Sequence, residues 1–148
     1  MRLTRFTDYS LRVLMYLASC PDGHATIAEI AAAFAVSENH LSKVVHHLGR
    51  TGLLSNVRGR GGGIELGRPA AQINIGAVVR TAEAEAALVE CFDRRTNRCV
   101  ITPACELRGV LSEALEAFHT KLDQYTLADL TQNRQRLQKV LAARRVEQ

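Results

Sequence analysis

The fold is decided by one stretch of the sequence, residues 33–67, AFAVSENHLSKVVHHLGRTGLLSNVRGRGGGIELG. After a short turn, apolar residues recur at positions i, i+3, i+4 and i+7, which predicts an amphipathic helix. The residues of this apolar face are Leu41, Val44, Val45 and Leu48. The opposite face carries Asn39, Ser42, Lys43 and His46. Gly52 ends the helix, and the segments LLSNV and IELG around RGRGGG predict a β-hairpin with Arg58 and Arg60 at its tip.

Two further helices are predicted before this one. Residues 4–19 carry a broad apolar stripe. Thr26, followed three positions later by Glu29, forms a capping box that opens the short helix IAEIAAAFA. Two short helices joined by a tight turn are typical of a helix-turn-helix, and a glycine-rich hairpin directly after them indicates its winged form. The sequence therefore predicts a mainly α protein with a small β-hairpin wing.

The polar helix face and the wing tip have the chemistry of a DNA-binding surface. An asparagine such as Asn39 suits adenine edges, a lysine such as Lys43 suits guanine or phosphate, and Ser42 and His46 add donors and acceptors beside them. Arginines in a wing suit phosphates or a narrow minor groove. Residues 1–68 hold eight basic and five acidic residues, so most of the net charge of +4 lies there. Each feature alone would fit a solvated helix face or a mobile turn, but their order and charge favour DNA binding.

Three of the four cysteines lie close together in the sequence. Cys91, Cys99 and Cys105 are spaced too widely for the paired CxxC of a structural zinc site. Thiolates from a winding loop suit an iron-sulfur cluster, whose irons prefer soft sulfur ligands. A thiol-based redox switch, a zinc site completed by another residue, and coincidence are the alternatives. Cys20 stands apart and is interpreted as a small buried residue.

The remaining sequence predicts the elements that assemble the protein. Asn74 caps a short helix, residues 91–106 show no periodicity, and an apolar stripe from about Leu107 predicts a long helix. We divide the chain into four regions: a winged helix-turn-helix DNA-binding domain at 1–70, a connecting helix and cluster-binding loop at 71–106, a dimerisation helix region at 107–130, and a C-terminal tail at 131–148, whose last residues are expected to fray. A winged domain alone cannot cover the long apolar stripe, so we expect a homodimer.

Composition and motifs argue against other classes of protein. The 148 residues contain no apolar run near the ~18 residues of a membrane helix. Arg5, Asp8 and Arg12 interrupt the N-terminal segment, unlike the apolar region of a signal peptide. No Ser/His/Asp set, paired carboxylates or nucleotide-binding motif supports catalysis. We expect a cytoplasmic protein that is not an enzyme and has no membrane partner.

Four segments together resemble the family of dimeric winged-helix iron-sulfur regulators that includes IscR and NsrR. They are MRLTRFTDYSLRVLMYLA, VSENHLSKVVHHL, VRGRGGGIEL, and ECFDRRTNRC with PACELRGVL. Each is similar to the nitric-oxide-sensing NsrR branch, and the resemblance extends to about Leu130. IscR-like members use a histidine three residues after the last cysteine, where this chain has Arg108.

The resemblance implies a site shared between two subunits. A four-iron four-sulfur (4Fe-4S) cluster would be held by Cys91, Cys99 and Cys105 of one subunit and by the partner subunit's Asp8, with Arg12 supporting that carboxylate. The implied function is repression at a two-fold-symmetric DNA operator, relieved when nitric oxide nitrosylates the cluster. An iron- or cluster-status-responsive repressor of the same family is the alternative.

Overall fold

The computed structural model describes residues 2–59, 61–84 and 87–146, with side chains up to residue 142. Its helices are α1 (Arg5–Ser19), α2 (Ile27–Phe34), α3 (Glu38–Arg50), α4 (Ile75–Ala82), α5 (Glu106–Asp123), α6 (Leu127–Leu130) and α7 (Arg134–Val146). Its strands are β1 (His24–Ala25), β2 (Leu54–Val57) and β3 (Gly63–Leu66). Short 3-10 turns lie at Ala70–Gln72, Glu90–Phe92 and Thr102–Ala104. The predicted mainly α fold with a β-hairpin wing is confirmed.

Local capping explains where several of these helices begin. Thr26 and Glu29 form the predicted capping box: Thr26 Oγ1 accepts from the Glu29 amide, and Glu29 Oε2 accepts from the Thr26 amide at 2.8 Å. Asn74 Oδ1 accepts from the Ala77 amide at 2.9 Å and starts α4 as predicted. Ser37 occupies the cap position of α3, but its side chain makes no capping hydrogen bond.

The wing belongs to a small antiparallel sheet of strand order β1-β3-β2. The hairpin register pairs Asn56 with Ile64, and β1 adds a third strand by pairing Ala25 with Ile64. The sequence did not predict β1, since two residues after a turn carry no strand periodicity. An added Cβ at Gly63 would lie 2.4 Å from the Ala25 carbonyl oxygen, so this glycine permits β1 to approach β3.

Helix α1 is the centre around which the other helices pack, and it contacts α3, α4, α6 and α7. Val13 and Leu14 of α1 are fully buried, and they share one core with Ile30 of α2, Leu41 of α3 and Val79 of α4. The C-terminal tail contains a helix that the sequence analysis did not predict, since Arg134–Val146 form α7. This helix contacts α1 and α2, Leu141 packs on the core, and Gln138 Nε2 donates to the Ser19 carbonyl.

Candidate DNA-binding and cysteine sites

The two faces of α3 are separated as the periodicity predicts. Leu41, Val44 and Leu48 are each 1% exposed, and Val45 is half-buried against the core. The four predicted DNA-contacting residues are all exposed: Asn39, Ser42, Lys43 and His46. Ser42 Oγ donates to the Glu38 carbonyl at 2.8 Å, which leaves its oxygen free to accept. Helix α3 therefore presents a polar, uncovered face with one buried side that fixes its orientation.

A groove of about 280 Å³ lies between α3 and the wing. His46 lines it together with Asn56 of β2 and with Arg50 at the end of α3. The sequence analysis did not select Arg50, although it lies on the same helix face as His46, four positions later. This cation extends the candidate DNA-binding surface from α3 toward the hairpin.

Glycines shape the tip of the wing. Gly59 and Gly61 adopt φ values of 103° and 79°, which favour glycine because it lacks a Cβ. Arg58 is exposed beside this turn. Arg60, the second predicted wing residue, lies outside the described residues. The positive φ angles at Gly59 and Gly61 thus explain why glycine occupies these two positions of the turn.

Asp8 lies on α1 and is bound by an arginine one turn later. Arg12 Nη2 is 2.8 Å from Asp8 Oδ2, and Arg12 Nε donates to Oδ1 at 3.0 Å. The Asp8 side chain is still 45% exposed, so one side of the carboxylate faces outward. A surface cavity beside it is lined by Arg2, Leu3 and Arg5. The surroundings of Asp8 are therefore cationic and open to an approaching anionic group.

Aromatic contacts join α1 to the candidate DNA-binding helix. The rings of Phe6 and His47 meet edge to face with centroids 5.1 Å apart, and the rings of Tyr9 and His40 are 6.5 Å apart. The Arg12 guanidinium lies 5.9 Å from the Tyr9 ring centroid. A displacement of α1 near Asp8 would therefore change its ring contacts with His40 and His47 of α3.

The three clustered cysteines lie between α4 and α5, in residues 87–105, which we call the cysteine segment. Cys91 lies in the 3-10 turn Glu90–Phe92, and Cys105 immediately precedes α5. Cys99 donates its amide to Asn97 Oδ1 at 3.0 Å, and its carbonyl accepts from Thr102 Oγ1 at 2.8 Å. All three cysteines are free thiols and half-buried. Within residues 93–102, polar side chains therefore hold the backbone around Cys99.

Asp93 holds the turn at residues 93–96 through hydrogen bonds to its carboxylate. Its carboxylate accepts from the Arg95 amide and from Thr96 Oγ1, each at 2.9 Å. These hydrogen bonds, the one from the Arg95 amide first, hold the pKa of Asp93 below its ordinary value. The Asp93 carboxylate therefore holds the turn that precedes Cys99.

The described residues include no group of three His, Cys, Asp or Glu side chains gathered closely enough to hold a metal ion. Within one chain, Cys91, Cys99 and Cys105 are therefore not gathered as a ligand set, either by themselves or with Asp8. The chemistry of the donors does fit an iron-sulfur cluster, because three unpaired thiols lie on one short segment.

The sequence analysis missed Glu83, the residue after α4. Its Oε1 accepts from the Thr4 amide at 2.8 Å, from Thr4 Oγ1 at 2.9 Å and from Thr7 Oγ1. Burial opposes ionisation of Glu83, but the hydrogen bonds from Thr7 and Thr4 outweigh it and lower its pKa. No short-range pattern reveals this contact, because Glu83 lies 79 positions after Thr4 and 76 after Thr7.

Large apolar side chains are exposed on the cysteine segment and at the start of α5. Val100 is 91% exposed, and Ile101, Leu107 and Val110 are each about 60% exposed. Their proximity in sequence makes this a candidate surface for another protein chain. No helix in the described part of the chain is long and apolar enough to cross a membrane.

A winged helix-turn-helix with an exposed polar recognition face defines a class of transcriptional regulators. Residues 3–133 match the Rrf2 family, described as iron-dependent transcriptional regulators, and the chain belongs to this family. The resemblance inferred from the four sequence segments is thereby confirmed.

Named relatives cover almost the whole chain. It is 52% identical over 146 residues to the HTH-type transcriptional regulator NsrR of Geobacillus kaustophilus strain HTA426, covering 98% of this chain and 99% of that protein. It is 50% identical over 142 residues to the regulator of the same name from Bacillus subtilis strain 168, covering 95% and 97%. The solved structure of T. potens IscR has a TM-score of 0.72 over 90% of this chain and 88% of that one. This superposition shows a shared fold at 22% sequence identity.

Proposed function

We propose that this protein is a DNA-binding transcriptional repressor that senses nitric oxide through a 4Fe-4S cluster and loses operator affinity when the cluster is nitrosylated. The observation that carries the proposal is the position of α1. This helix presents Asp8 on one side and contacts α3 through Phe6 and Tyr9 on another. The relatives of this chain from Geobacillus kaustophilus and Bacillus subtilis are both named NsrR, which supports the same function.

Cys91, Cys99 and Cys105 would hold the cluster within one subunit, and the partner subunit's Asp8 would complete its ligands. A bound cluster supplies iron atoms that react with nitric oxide and exchange protein ligands. Asp8 is suited to this role because its carboxylate is half-exposed and Arg12 orients it from the side of α1. When Asp8 is released, α1 is freed to move against α3.

Dimerisation would bring the two parts of the site together. The exposed apolar residues Val100, Ile101, Leu107 and Val110 fit burial against the same surface of a second copy. Two copies of α3 related by a two-fold axis would then read a DNA operator with matching symmetry. The effector must favour one of two arrangements of these helices, because a ligand shifts an equilibrium only through differential affinity.

The test starts from protein purified without oxygen, analysed for visible absorbance, iron and sulfide. Duplex DNA selected by this protein from a random-sequence library supplies the binding site. We expect Cys99→Ala to lose the cluster and specific DNA binding, whereas Cys20→Ala, which removes the one cysteine outside the segment, keeps both. Nitric oxide should weaken binding of the unmodified protein.

Other results would identify the alternatives. Protein without iron or sulfide, whose DNA affinity changes on thiol oxidation, would be a thiol-based switch. Protein that contains a cluster and responds to iron supply but not to nitric oxide would be an iron- or cluster-status-responsive repressor. Normal operator binding by Cys99→Ala would overturn the sensor proposal.

A further inference from the structure

Glu83 lies where the chain leaves α4 and enters the cysteine segment. Its amide donates to the Val79 carbonyl at 2.9 Å, which ends α4 at a fixed point. Its side chain also faces a cavity of about 540 Å³ that is bounded by Thr4, by Leu115 of α5 and by Leu88 of the cysteine segment. Glu83 thus contacts the start of α1, and it lines the same cavity as Leu88 of the segment that carries the cysteines.

One carboxylate oxygen of Glu83 accepts three hydrogen bonds from the cap and first turn of α1. Glu83 Oε1 accepts from the amide and the hydroxyl of Thr4 and from the hydroxyl of Thr7. Thr4 caps α1, and Thr7, which directly precedes Asp8, is fully buried. The Asp8 amide donates to the Thr4 carbonyl at 3.1 Å. The turn of α1 that carries Asp8 is therefore bound to Glu83 at the end of α4 of its own subunit.

This contact has a consequence in the dimer of the proposed function, on which the inference rests. In such a dimer, each subunit holds one cluster with its cysteines and supplies Asp8 to the other cluster. Glu83, which is bound to the first turn of α1 and precedes Cys91 in the chain, would connect these two roles within one subunit. Charge-assisted hydrogen bonds to a carboxylate are strong and directional, so movement of α1 would displace Glu83 and with it the start of the segment that follows.

We propose that Glu83 is a positioning residue that couples the two cluster sites of the dimer. When Asp8 of one subunit loses its cluster, Thr4 and Thr7 shift with α1, and Glu83 transmits the shift to that subunit's own cysteine segment. Loss of the first cluster therefore makes the second easier to lose. The coupling is reciprocal, since the two sites are related by symmetry.

Hybrid dimers test this coupling. Two differently tagged copies are produced together, and one carries Cys99→Ala, so that the purified hybrid contains one cluster with all its ligands intact. Anaerobic release of iron to a ferrous chelator is followed by absorbance in the hybrid and in the two-cluster dimer. We expect the single cluster to be lost about fivefold faster or more, which is the lower range of coupling between sites.

The same pair of dimers is then made with Glu83→Ala in the subunit that keeps its cysteines, and with Glu83→Ala in both subunits of the two-cluster form. We expect equal rates of iron loss in these two dimers. Glu83→Gln retains the Oε1 acceptor and should keep part of the difference. Asp129→Asn is the matched control, because Asp129 accepts similarly from Thr126 at the start of α6 and should leave the difference unchanged.

Circular dichroism checks folding, and Thr7→Val, which removes one donor at similar volume, replaces Glu83→Ala if that variant does not fold. Equal rates in the unmodified protein would overturn the coupling. A fivefold difference that persists in Glu83→Ala, or in Thr7→Val where it is the replacement, would assign the coupling to another route and overturn the role of Glu83. Unmodified protein without iron and sulfide would instead overturn the proposed function, and this inference with it.

Discussion

The guanidinium of Arg12 binds both carboxylate oxygens of Asp8 on α1, at 2.8 and 3.0 Å. Both side chains are more than 40% exposed, and ion pairs of this kind at i, i+4 contribute only about 0.5 kcal/mol. Asp8 can therefore exchange this partner for another at little cost to folding. The ion pair and a ligand role for Asp8 are compatible.

Asp8→Ala should change the cluster's stability and the response to nitric oxide while it leaves the stability of the fold almost unchanged. We expect the free energy of unfolding to fall by no more than about 0.5 kcal/mol, because the lost ion pair is exposed. The cluster should be lost faster and the response to nitric oxide should change, measured by absorbance under anaerobic conditions. Asp22→Ala, in the exposed turn before β1, is the control. If Asp8→Ala matches this control in both assays, Asp8 serves only its ion pair with Arg12.

Lys43→Ala should weaken DNA binding in a salt-dependent way. Lys43 is exposed on the polar face of α3, and a lysine that neutralises one phosphate adds about one unit to the slope of log affinity against log salt. We expect the slope to fall by about one in binding titrations over several salt concentrations. Lys139→Ala, at an exposed position of α7, should leave the slope unchanged. An unaltered slope for Lys43→Ala would exclude a phosphate contact.

The cap residues Thr26 of α2 and Ser37 of α3 should contribute differently to stability. Thr26 Oγ1 accepts from the Glu29 amide, whereas the Ser37 side chain makes no capping hydrogen bond. We expect Thr26→Ala to lower the free energy of unfolding by about 1 kcal/mol and Ser37→Ala to change it much less. Urea denaturation measures both. Equal losses would contradict the described geometry of α3.

The free energy of unfolding should depend on pH through the ionisation of Glu83. The pKa of its carboxyl is lowered from 4.5 in the folded protein, so its contribution is present above about pH 4.5 and is lost as the pH falls through the folded value. Unfolding of the unmodified protein and of Glu83→Gln is compared between pH 7 and pH 3. We expect the difference in stability to shrink toward low pH. Glu113→Gln, an exposed change on α5, is the matched control, and a constant difference for Glu83→Gln would contradict the prediction.

Much of the candidate DNA-binding site could be predicted from the sequence. The period of Leu41, Val44 and Leu48 indicated which face of α3 is buried, and hence that Asn39 and Lys43 are exposed. The prediction succeeds because helix period, capping and glycine turns involve residues within a few positions of each other. The roles of the cysteines and of Asp8 as cluster ligands came from resemblance and stay predictions.

By itself, the sequence determined the helix-turn-helix, the wing and the caps at Thr26 and Asn74, because neighbouring residues decide these features. Only the tertiary structure decided that β1 completes the sheet, that α7 packs on the core, and that Glu83 holds Thr4 and Thr7. These contacts join distant segments, and their free energy depends on burial and hydrogen-bond geometry that exist only after the chain has folded. The hydrogen bonds from the first turn of α1 to Glu83 belong to this second class.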